Sequence, residues 1–384
     1  MKKQVVFLIC LWSVTALFSQ TGPNYYPSKT DWQHLSPATL EMDTSALNTA
    51  VDFALANEYS GPKDLRLAIL KGFSREPDHD ILGPVKQRGG PAGIILKNGY
   101  IVAEWGDTRR VDMTFSVTKS YLSTVAGLAI EDGLIRSVQD TVKEYVWDGT
   151  FDGKHNSAIT WEHLLHQTSD WSGALFGLYD WADRPDRKGD LDQWRYRKLY
   201  PPGSHYKYND VRVNVLAYSL LQVWRRPLPQ VIKERVMDPI GASTTWRWFG
   251  YDNTWVNVDG IKMQSVSGGG HHGGGLFINT MDHARLGLLF SRRGKWNNKQ
   301  LIAKKWIQNV RTPTPANRSY GYMWWLNRKD GERHWEGIPE SVYYAAGFGG
   351  NFIVIDEEKD LVIVTRWLEP SKIGEMVRLV YGSF

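Results

Sequence analysis

The sequence predicts an α+β protein. Its antiparallel sheet is built from N- and C-terminal strands, is flanked by helices, and is interrupted by an inserted helical subdomain. Two apolar runs around the Asn98-Gly99 pair give the strongest short-range signal for a β-hairpin. Further strand-like runs follow residue 320, whereas most of residues 137–267 has helical periodicity. Strands near both ends with helices between them pack as one sheet covered by helices.

The first 20 residues have the pattern of a signal peptide. Lys2 and Lys3 precede an apolar run, Val5 to Phe18, that is too short to cross a bilayer comfortably, and small residues follow it. The single cysteine, Cys10, lies inside this run, so the mature protein would have neither a disulfide nor a thiol nucleophile. We therefore expect an exported protein, periplasmic or secreted, that is not inserted in a membrane once the signal peptide is removed.

The composition suits a globular protein that does not bind nucleic acid. The 384 residues are 42% hydrophobic, which is ample for a core, and carry a net charge of +5. Loss of the signal peptide with its two lysines lowers that charge from +5 to +3, and no long block of Lys and Arg remains. We expect no nucleic-acid partner, and the oligomeric state stays open.

The elements follow in order along the chain. A helix is predicted near Thr44–Asn57, and the hairpin pairs Ala92–Leu96 with Tyr100–Trp105. A long helix then starts in the periodic run Ser120–Ile135 and ends near Gly133, since a glycine there can take the left-handed conformation. The remaining helices are predicted at Thr160–His166, Val211–Trp224, Leu228–Met237, Asp282–Arg292, Ala303–Val310 and Lys372–Val380, and the remaining strands at Gly321–Leu326, Tyr343–Phe348, Phe352–Ile355 and Leu361–Thr365.

The stretch Phe115 to Lys119 opens the long helix and carries a candidate nucleophile. Ser116 and Lys119 stand three residues apart, so a helix places them on one face of its first turn, with an amine beside a hydroxyl. A serine hydroxyl becomes a nucleophile when a neighbouring base takes its proton, and a lysine can be that base when its pKa is lowered. Free N–H groups at a helix start also favour negative charge on a bound substrate.

The Ser-x-x-Lys spacing alone does not decide the function. It also occurs at Ser60–Lys63 and Ser204–Lys207, where turn residues stand next to it and no periodic run follows. A serine at a helix start can equally be an N-terminal cap, with the lysine in solvent. The spacing therefore leaves a catalytic and a purely structural interpretation open.

A wider set of segments in a fixed order resembles the serine β-lactamase and penicillin-binding-protein superfamily. The segments are Ser116-Val117-Thr118-Lys119, Ile159 to Ser169, Pro202 to Asp210 and Gly273 to Phe277. They are most similar to the class C β-lactamase-related branch, which includes esterases and 6-aminohexanoate-dimer hydrolase. The likeness extends from about Ala92 to the C-terminus.

The resemblance implies a β-lactamase/transpeptidase-like fold with one serine hydrolase domain over residues 21–384. Residues 91–136 and 268–384 would form its sheet-containing part, and residues 137–267 its helical subdomain. It also implies acyl transfer that needs no metal and no organic cofactor.

In this family a Tyr-x-Asn segment supplies a tyrosine that shares the general-base role with the lysine. The best match begins at Tyr208, so the resemblance implies that Ser116 is the nucleophile and that Lys119 and Tyr208 remove its proton. Tyr206 is the alternative, because residues two apart in an extended stretch point the same way. A pair of aromatic residues that only packs against the helical subdomain also stays open.

A third family element is a Lys-Thr-Gly or His-x-Gly strand that lines the site. The segment Ala345-Ala346-Gly347 matches its position, so Ala346 and Gly347 are candidates for substrate binding. The glycine would let substrate lie against the strand, and the Phe348 N–H would complete an oxyanion hole with the N–H of Ser116.

Two further residues are candidates for substrate contact, and one pair is a weak candidate for metal binding. Asp210 stands where relatives carry asparagine, although an ionised carboxylate only accepts hydrogen bonds. Trp171 lies in a segment that resembles a loop over the site in relatives. His271 and His272 lack acidic or cysteine partners at ligand spacing, so we predict a glycine-flexed loop there and no metal site.

We therefore expect an exported serine hydrolase of the esterase or amidase type. It would cleave a small-molecule or short peptide-like ester or amide through an acyl-serine intermediate. One alternative is a penicillin-binding or peptidoglycan-processing D,D-peptidase or a β-lactamase. In those enzymes a lysine holds the substrate carboxylate, and here Ala345 replaces it, so Arg366 or another basic residue would have to compensate. The other alternative is a catalytically idle binding or sensor module of the same fold.

Overall fold

A computed structural model describes residues 25–185 and 189–384. The predicted signal peptide, residues 1–20, lies outside the described residues. In the described ranges, no helix combines the length and apolar character needed to span a bilayer.

The main sheet has six strands in the order Trp325–Leu326, Tyr343–Gly347, Asn351–Asp356, Leu361–Arg366, Ala92–Lys97 and Tyr100–Trp105, and every neighbouring pair is antiparallel. The predicted sheet from both ends of the chain is thereby confirmed. Its two N-terminal strands join at Asn98 and Gly99, whose φ angles of 54° and 85° suit a tight hairpin turn. The strands of the protein are β1 (Ala92–Lys97), β2 (Tyr100–Trp105), β3 (Asp112–Met113), β4 (Ala174–Leu175), β5 (Leu178–Tyr179), β6 (Arg247–Val258), β7 (Ile261–Val266), β8 (Gly275–Ile278), β9 (Lys295–Trp296), β10 (Lys299–Gln300), β11 (Trp325–Leu326), β12 (Tyr343–Gly347), β13 (Asn351–Asp356) and β14 (Leu361–Arg366).

A second sheet of four strands, in the order β3-β8-β6-β7, differs from the sequence prediction. The long hairpin β6–β7 lies in a stretch that we expected to be mostly helical. Its turn is Asp259-Gly260, where both residues have positive φ, 55° and 80°. An Asp-Gly pair between strand-forming residues is a hairpin signal, so the sequence did contain the information needed to find it.

The predicted helices lie within a few residues of their expected bounds, whereas the helices Leu65–Phe73, Gly153–Asn156 and Leu191–Arg195 were not predicted. One exception is the predicted Leu228–Met237 helix, whose second half is a π-helix over Lys233–Met237. The α-helices are α1 (Thr44–Ala56), α2 (Leu65–Phe73), α3 (Thr118–Glu131), α4 (Gly153–Asn156), α5 (Trp161–Leu165), α6 (Leu191–Arg195), α7 (Asp210–Trp224), α8 (Leu228–Ile232), α9 (Thr280–Ser291), α10 (Lys304–Asn309) and α11 (Ile373–Tyr381).

The two faces of the main sheet are covered by different helices because side chains alternate along each strand. Ile94 and Val364, which are paired across β1 and β14, belong to the large core that includes α3, α7 and α9. Ile95 and Ile363, the next pair along, belong to a second core with α1 and α11. The sheet therefore separates two apolar layers.

Helix α3 lies in the middle of the larger core. Every residue from Thr118 to Ala129 is buried, so this helix has no solvent-facing side over that length. It packs against α7 and α8 of the helical region. Its N-terminus lies beside the end of β12, which places the start of α3 where the main sheet meets the helical region.

Candidate active site

Ser116 lies in a short 3₁₀ turn, Phe115–Val117, that leads directly into α3. The preceding residue, Phe115, is buried and has a φ of 50°, a left-handed conformation that costs a non-glycine residue energy. Hydrogen bonds to β8 hold this turn: Thr114 N–H donates to the Leu276 carbonyl at 2.9 Å, and Leu276 N–H donates to Thr118 Oγ1 at 3.2 Å. The backbone around Ser116 is thus fixed by tertiary contacts.

Lys119 is buried and points at Ser116. Its side chain is 1% exposed, and its Nζ donates to Ser116 Oγ at 2.9 Å. The same ammonium group forms an ion pair with Asp210 and lies 4.7 Å from the centroid of the Tyr208 ring. The structure therefore brings together four of the residues that the sequence analysis selected.

The segment after Tyr208 starts helix α7, and this explains where Asp210 lies. Asn209 is the N-cap residue, and its side chain accepts a hydrogen bond from Arg212 N–H at 3.0 Å. Asp210 is the first residue of the helix, where the free N–H groups and the helix dipole stabilise a carboxylate. Its carboxylate turns inward toward Lys119, so Asp210 is a partner of the lysine, and we withdraw it as a direct substrate contact.

Gly269 is needed for this ion pair to form. A Cβ atom at this position would lie 1.9 Å from Asp210 Oδ1 and 2.3 Å from Lys119 Nζ. Only glycine leaves room for both groups, which gives the glycine-rich stretch beginning at residue 268 a structural role beside the candidate nucleophile.

A second cation, Arg184, neutralises Asp210 from its other side. Its Nη1 lies 2.6 Å from Asp210 Oδ2 and 2.7 Å from Asp183 Oδ1. Its Nη2 lies 3.0 Å from His271 Nδ1. Burial alone would raise the pKa of Asp210, but Lys119, Arg184 and His271 hold it well below the usual range. Asp210 is therefore ionised at neutral pH.

His271 completes this buried network and connects it to Glu76. Its Nε2 lies 2.5 Å from Glu76 Oε2, and its Nδ1 lies 3.5 Å from Asp210 Oδ2. Burial and the Arg184 cation lower the pKa of His271, but Asp183, Asp210 and Glu76 outweigh them and raise it to about 9. His271 is therefore protonated at neutral pH, and its ring nitrogens face the carboxylates of Glu76, Asp183 and Asp210.

Glu76, Asp183 and His271 also present one ligand atom each within 4.8 Å of one another, a grouping that the sequence did not reveal. Arg184 already lies within hydrogen-bond distance of both Asp183 and His271. Because Arg184 pairs with Asp183 and the protonated His271 pairs with Glu76, the positive charge beside these carboxylates is already supplied, and the geometry suits an ion network better than a metal centre.

The two candidate tyrosines occupy different environments. Tyr208 contacts two cations, because Arg184 Cζ lies 5.2 Å and Lys119 Nζ lies 4.7 Å from its ring centroid. The Tyr206 hydroxyl is buried without a hydrogen-bond partner in the described part of the chain, and burial raises its pKa well above the ordinary value. Of the two, Tyr208 is the one in contact with Lys119.

The end of β12 lies against the Ser116 turn. A Cβ atom on Gly347 would meet the Thr114 carbonyl oxygen at 2.2 Å and the Ser116 amide nitrogen at 3.2 Å, so only glycine allows this approach. Ala346, Gly347 and Phe348 line the same cavity as Ser116. The three positions chosen from the third family element are therefore beside the candidate nucleophile.

Two other expectations are corrected by the structure. Trp171 is 2% exposed, and its indole N–H donates to the Thr150 carbonyl at 2.8 Å, so it is a core residue and not a wall of the Ser116 cavity. Arg366 is buried too, and its guanidinium donates to Asn351 Oδ1 at 2.6 Å and to the Ile278 carbonyl at 2.8 Å. Arg366 is committed to the protein interior and is not available to bind a substrate carboxylate.

Ser116 opens into a cavity of about 570 Å³ with largely aromatic walls. Tyr206, Tyr208 and Trp325 line one part of it. Arg333 also lines the cavity, and its Cζ lies 3.9 Å from the Trp325 ring centroid.

Comparison with known proteins agrees with this geometry. The family model described as Beta-lactamase matches residues 87–366, which is more than half of the chain. Among solved structures, a family VIII carboxylesterase is similar with a TM-score of 0.57 and 16% identity, covering 78% of this chain and 93% of that one.

Two further solved structures have the same fold. A penicillin-binding protein homologue from Caulobacter crescentus has a TM-score of 0.54 and 15% identity, covering 85% of this chain and 99% of that one. A beta-lactamase from Mycobacterium bovis has a TM-score of 0.50 and 20% identity, covering 79% of this chain and 91% of that one. A comparison with curated proteins gives no match.

Proposed function

The chain belongs to the beta-lactamase family, and from that premise we propose that it is an exported serine hydrolase that cleaves an ester or amide through an acyl-serine intermediate. The observation that carries the proposal is the 2.9 Å hydrogen bond between buried Lys119 and Ser116, at the base of a cavity large enough for a small molecule. An amine held this close to a hydroxyl is the arrangement that activates a serine nucleophile.

In the proposed reaction, the Lys119 and Tyr208 pair, in the form that has lost one proton, takes the Ser116 proton as Oγ attacks the substrate carbonyl. The new C–O bond produces a tetrahedral oxyanion, which the N–H groups of Ser116 and Phe348 stabilise. The intermediate collapses as the bond to the leaving group breaks, and the leaving group takes a proton from the Tyr208 and Lys119 pair. Water then repeats these steps on the acyl-serine and releases the acid.

The charge network supports the lysine's part in this scheme. Asp210 alone would hold the Lys119 ammonium as an ion pair and oppose proton transfer. Arg184 shares that carboxylate at 2.6 Å, so Lys119 is not its only counter-ion. We propose that this sharing lets Lys119 exchange its proton with Ser116 during turnover.

A substrate panel tests the proposal. The protein without its first 20 residues would be assayed with short esters, linear amides and a β-lactam, and Ser116→Ala would serve as the variant. We expect turnover of at least one ester or amide and its loss by more than about 10³-fold in the variant. Equal turnover by both proteins would refute the role of Ser116.

The same panel separates the alternatives. Turnover of the β-lactam alone would identify a β-lactamase, and a stable penicillin adduct would identify a penicillin-binding enzyme. A single burst of one equivalent of product without a steady state would identify an idle module. Export is a separate proposal, and the mass of the mature protein recovered from its native cells would test it.

A further inference from the structure

One wall of the Ser116 cavity consists of aromatic rings that contact Phe348. Phe348 lies at its centre: its ring centroid is 5.6 Å from Tyr59, 5.8 Å from Phe73 and 5.0 Å from Phe115. All four residues line the cavity together with Ser116. The wall therefore presents aromatic surface directly beside the candidate nucleophile.

Two of these rings come from a part of the chain that the family match does not include. Tyr59 and Phe73 precede residue 87, where that match begins. They belong to the segment between α1 and β1, which contains helix α2 and passes over the cavity. Helix α2 reaches the wall closely, since a Cβ on Gly72 would lie 3.4 Å from the Phe348 ring.

Specific hydrogen bonds hold this segment in place. The buried Arg88 guanidinium donates to the carbonyls of Tyr59 and Gly61, both at 2.8 Å, and forms an ion pair with Glu58 at 2.6 Å. Farther along, Leu82 N–H donates to the His272 carbonyl at 2.8 Å. Hydrogen bonds on both sides of helix α2 therefore fix the segment that carries Tyr59 and Phe73.

Two further aromatic residues that line the cavity contact each other. Tyr208 and Trp325 are stacked with ring centroids 5.8 Å apart and an angle of 21° between their planes. A cavity lined by several aromatic rings favours a flat apolar group, because aromatic rings gain from stacked and edge-to-face contacts beyond the area they bury.

We propose that Tyr59, Phe73 and Phe348 form a subsite that binds an aromatic group of the substrate, so that the natural substrate is an ester or amide carrying an aryl group. This inference rests on the proposed hydrolase function and names its substrate class. Tyr59 and Phe73 are specificity-determining residues in this account, and neither takes part in proton transfer.

Two pairs of esters test the subsite. The acyl pair is p-nitrophenyl acetate and p-nitrophenyl phenylacetate, which share a leaving group. The alcohol pair is ethyl acetate and benzyl acetate, which share an acyl group. Their hydrolysis is measured by the release of acetic acid. For each pair the readout is the ratio of kcat/KM for the ester with the additional phenyl group, p-nitrophenyl phenylacetate or benzyl acetate, to kcat/KM for its smaller partner.

The variants are Phe73→Ala, Tyr59→Ala and the milder Phe73→Leu, which keeps a large apolar side chain if alanine impairs folding. Tyr196→Ala is the matched control, because Tyr196 is 74% exposed and lies outside the cavity. We expect the wild-type ratio to exceed about tenfold in one pair and to fall by about tenfold in the two alanine variants. The control should keep the wild-type ratio.

Failure of the inference is distinguishable from failure of the proposed function. If wild-type protein hydrolyses these esters but shows no aryl preference in either pair, or if the alanine variants keep that preference, the subsite is refuted and the hydrolase stands. If wild-type protein hydrolyses neither these four esters nor any ester, amide or β-lactam of the substrate panel, and none of them acylates Ser116, both proposals are refuted.

Discussion

His271 titrates inside the buried charge network, and replacing it should flatten the alkaline pH dependence of stability. Its ring lies 2.5 Å from Glu76 and 3.5 Å from Asp210. Burial and Arg184 lower its pKa, whereas Asp183 and the hydrogen bonds to Asp210 and Glu76 raise it, from 6.5 to about 9 overall. The folded protein therefore binds this proton more tightly than the unfolded chain does.

The sign and size of the effect follow from that difference. A pKa raised on folding contributes stability that is fully present below pH 6.5 and is lost as the pH rises through about 9. At about 1.4 kcal/mol per pH unit, the interval from 6.5 to 9 corresponds to about 3 kcal/mol. The His271 side chain is 1% exposed, so solvent screens little of this contribution.

Urea unfolding at pH 6 and at pH 9.5 measures the effect for wild type, His271→Gln and His272→Gln. The neighbouring His272 is the matched control, because burial and the charge on His271 lower its pKa, the opposite direction to the shift of His271. Between the two pH values, wild type and the control should lose about 3 kcal/mol more than His271→Gln. An equal loss in all three proteins would refute the charge assigned to His271.

Three further predictions concern the reacting groups. Tyr208→Phe should lower kcat by at least about 100-fold, whereas Tyr206→Phe should stay near wild type, and the reverse order would move the role to Tyr206. Lys119→Met should also lose most of the rate, and the double variant with Tyr208→Phe should be no slower than the worse single variant, because the pair acts as a unit; additive losses would argue for separate roles. Gly269→Ala places a Cβ 2.3 Å from Lys119 Nζ and should lower kcat by about 100-fold, whereas Gly90→Ala, with nothing within 4 Å, should leave kcat unchanged.

Local signals explain which parts of the fold were predictable from the sequence. The turn at Asn98-Gly99 and the short strands near the C-terminus are encoded by neighbouring residues, and they gave the correct main sheet. The Asp259-Gly260 turn carried an equally local signal, but it lies in a stretch that otherwise has helical periodicity, so the second sheet was missed. Trp171 was misplaced because a tryptophan in a polar loop can equally anchor the core.

The candidate site was predictable only where its residues share a short pattern. Ser116 and Lys119 lie three residues apart, and their hydrogen bond follows from that spacing. Glu76 and His271 are 195 residues apart, and Arg184 lies in a loop without a distinguishing pattern, so only the tertiary structure brings them together. At His271 we expected a glycine-flexed loop, because its buried partners have no recognisable spacing in the sequence.

The central claim is that Ser116 is the nucleophile, and mass spectrometry of protein treated with a fluorophosphonate probe tests it most directly. Digestion would locate the label among the three serines that begin a Ser-x-x-Lys pattern, Ser60, Ser116 and Ser204. We predict one label per chain, on the peptide containing Ser116, and no label on a folded Ser116→Ala variant. A label on either of the other two serines, or on the folded variant, would contradict the claim.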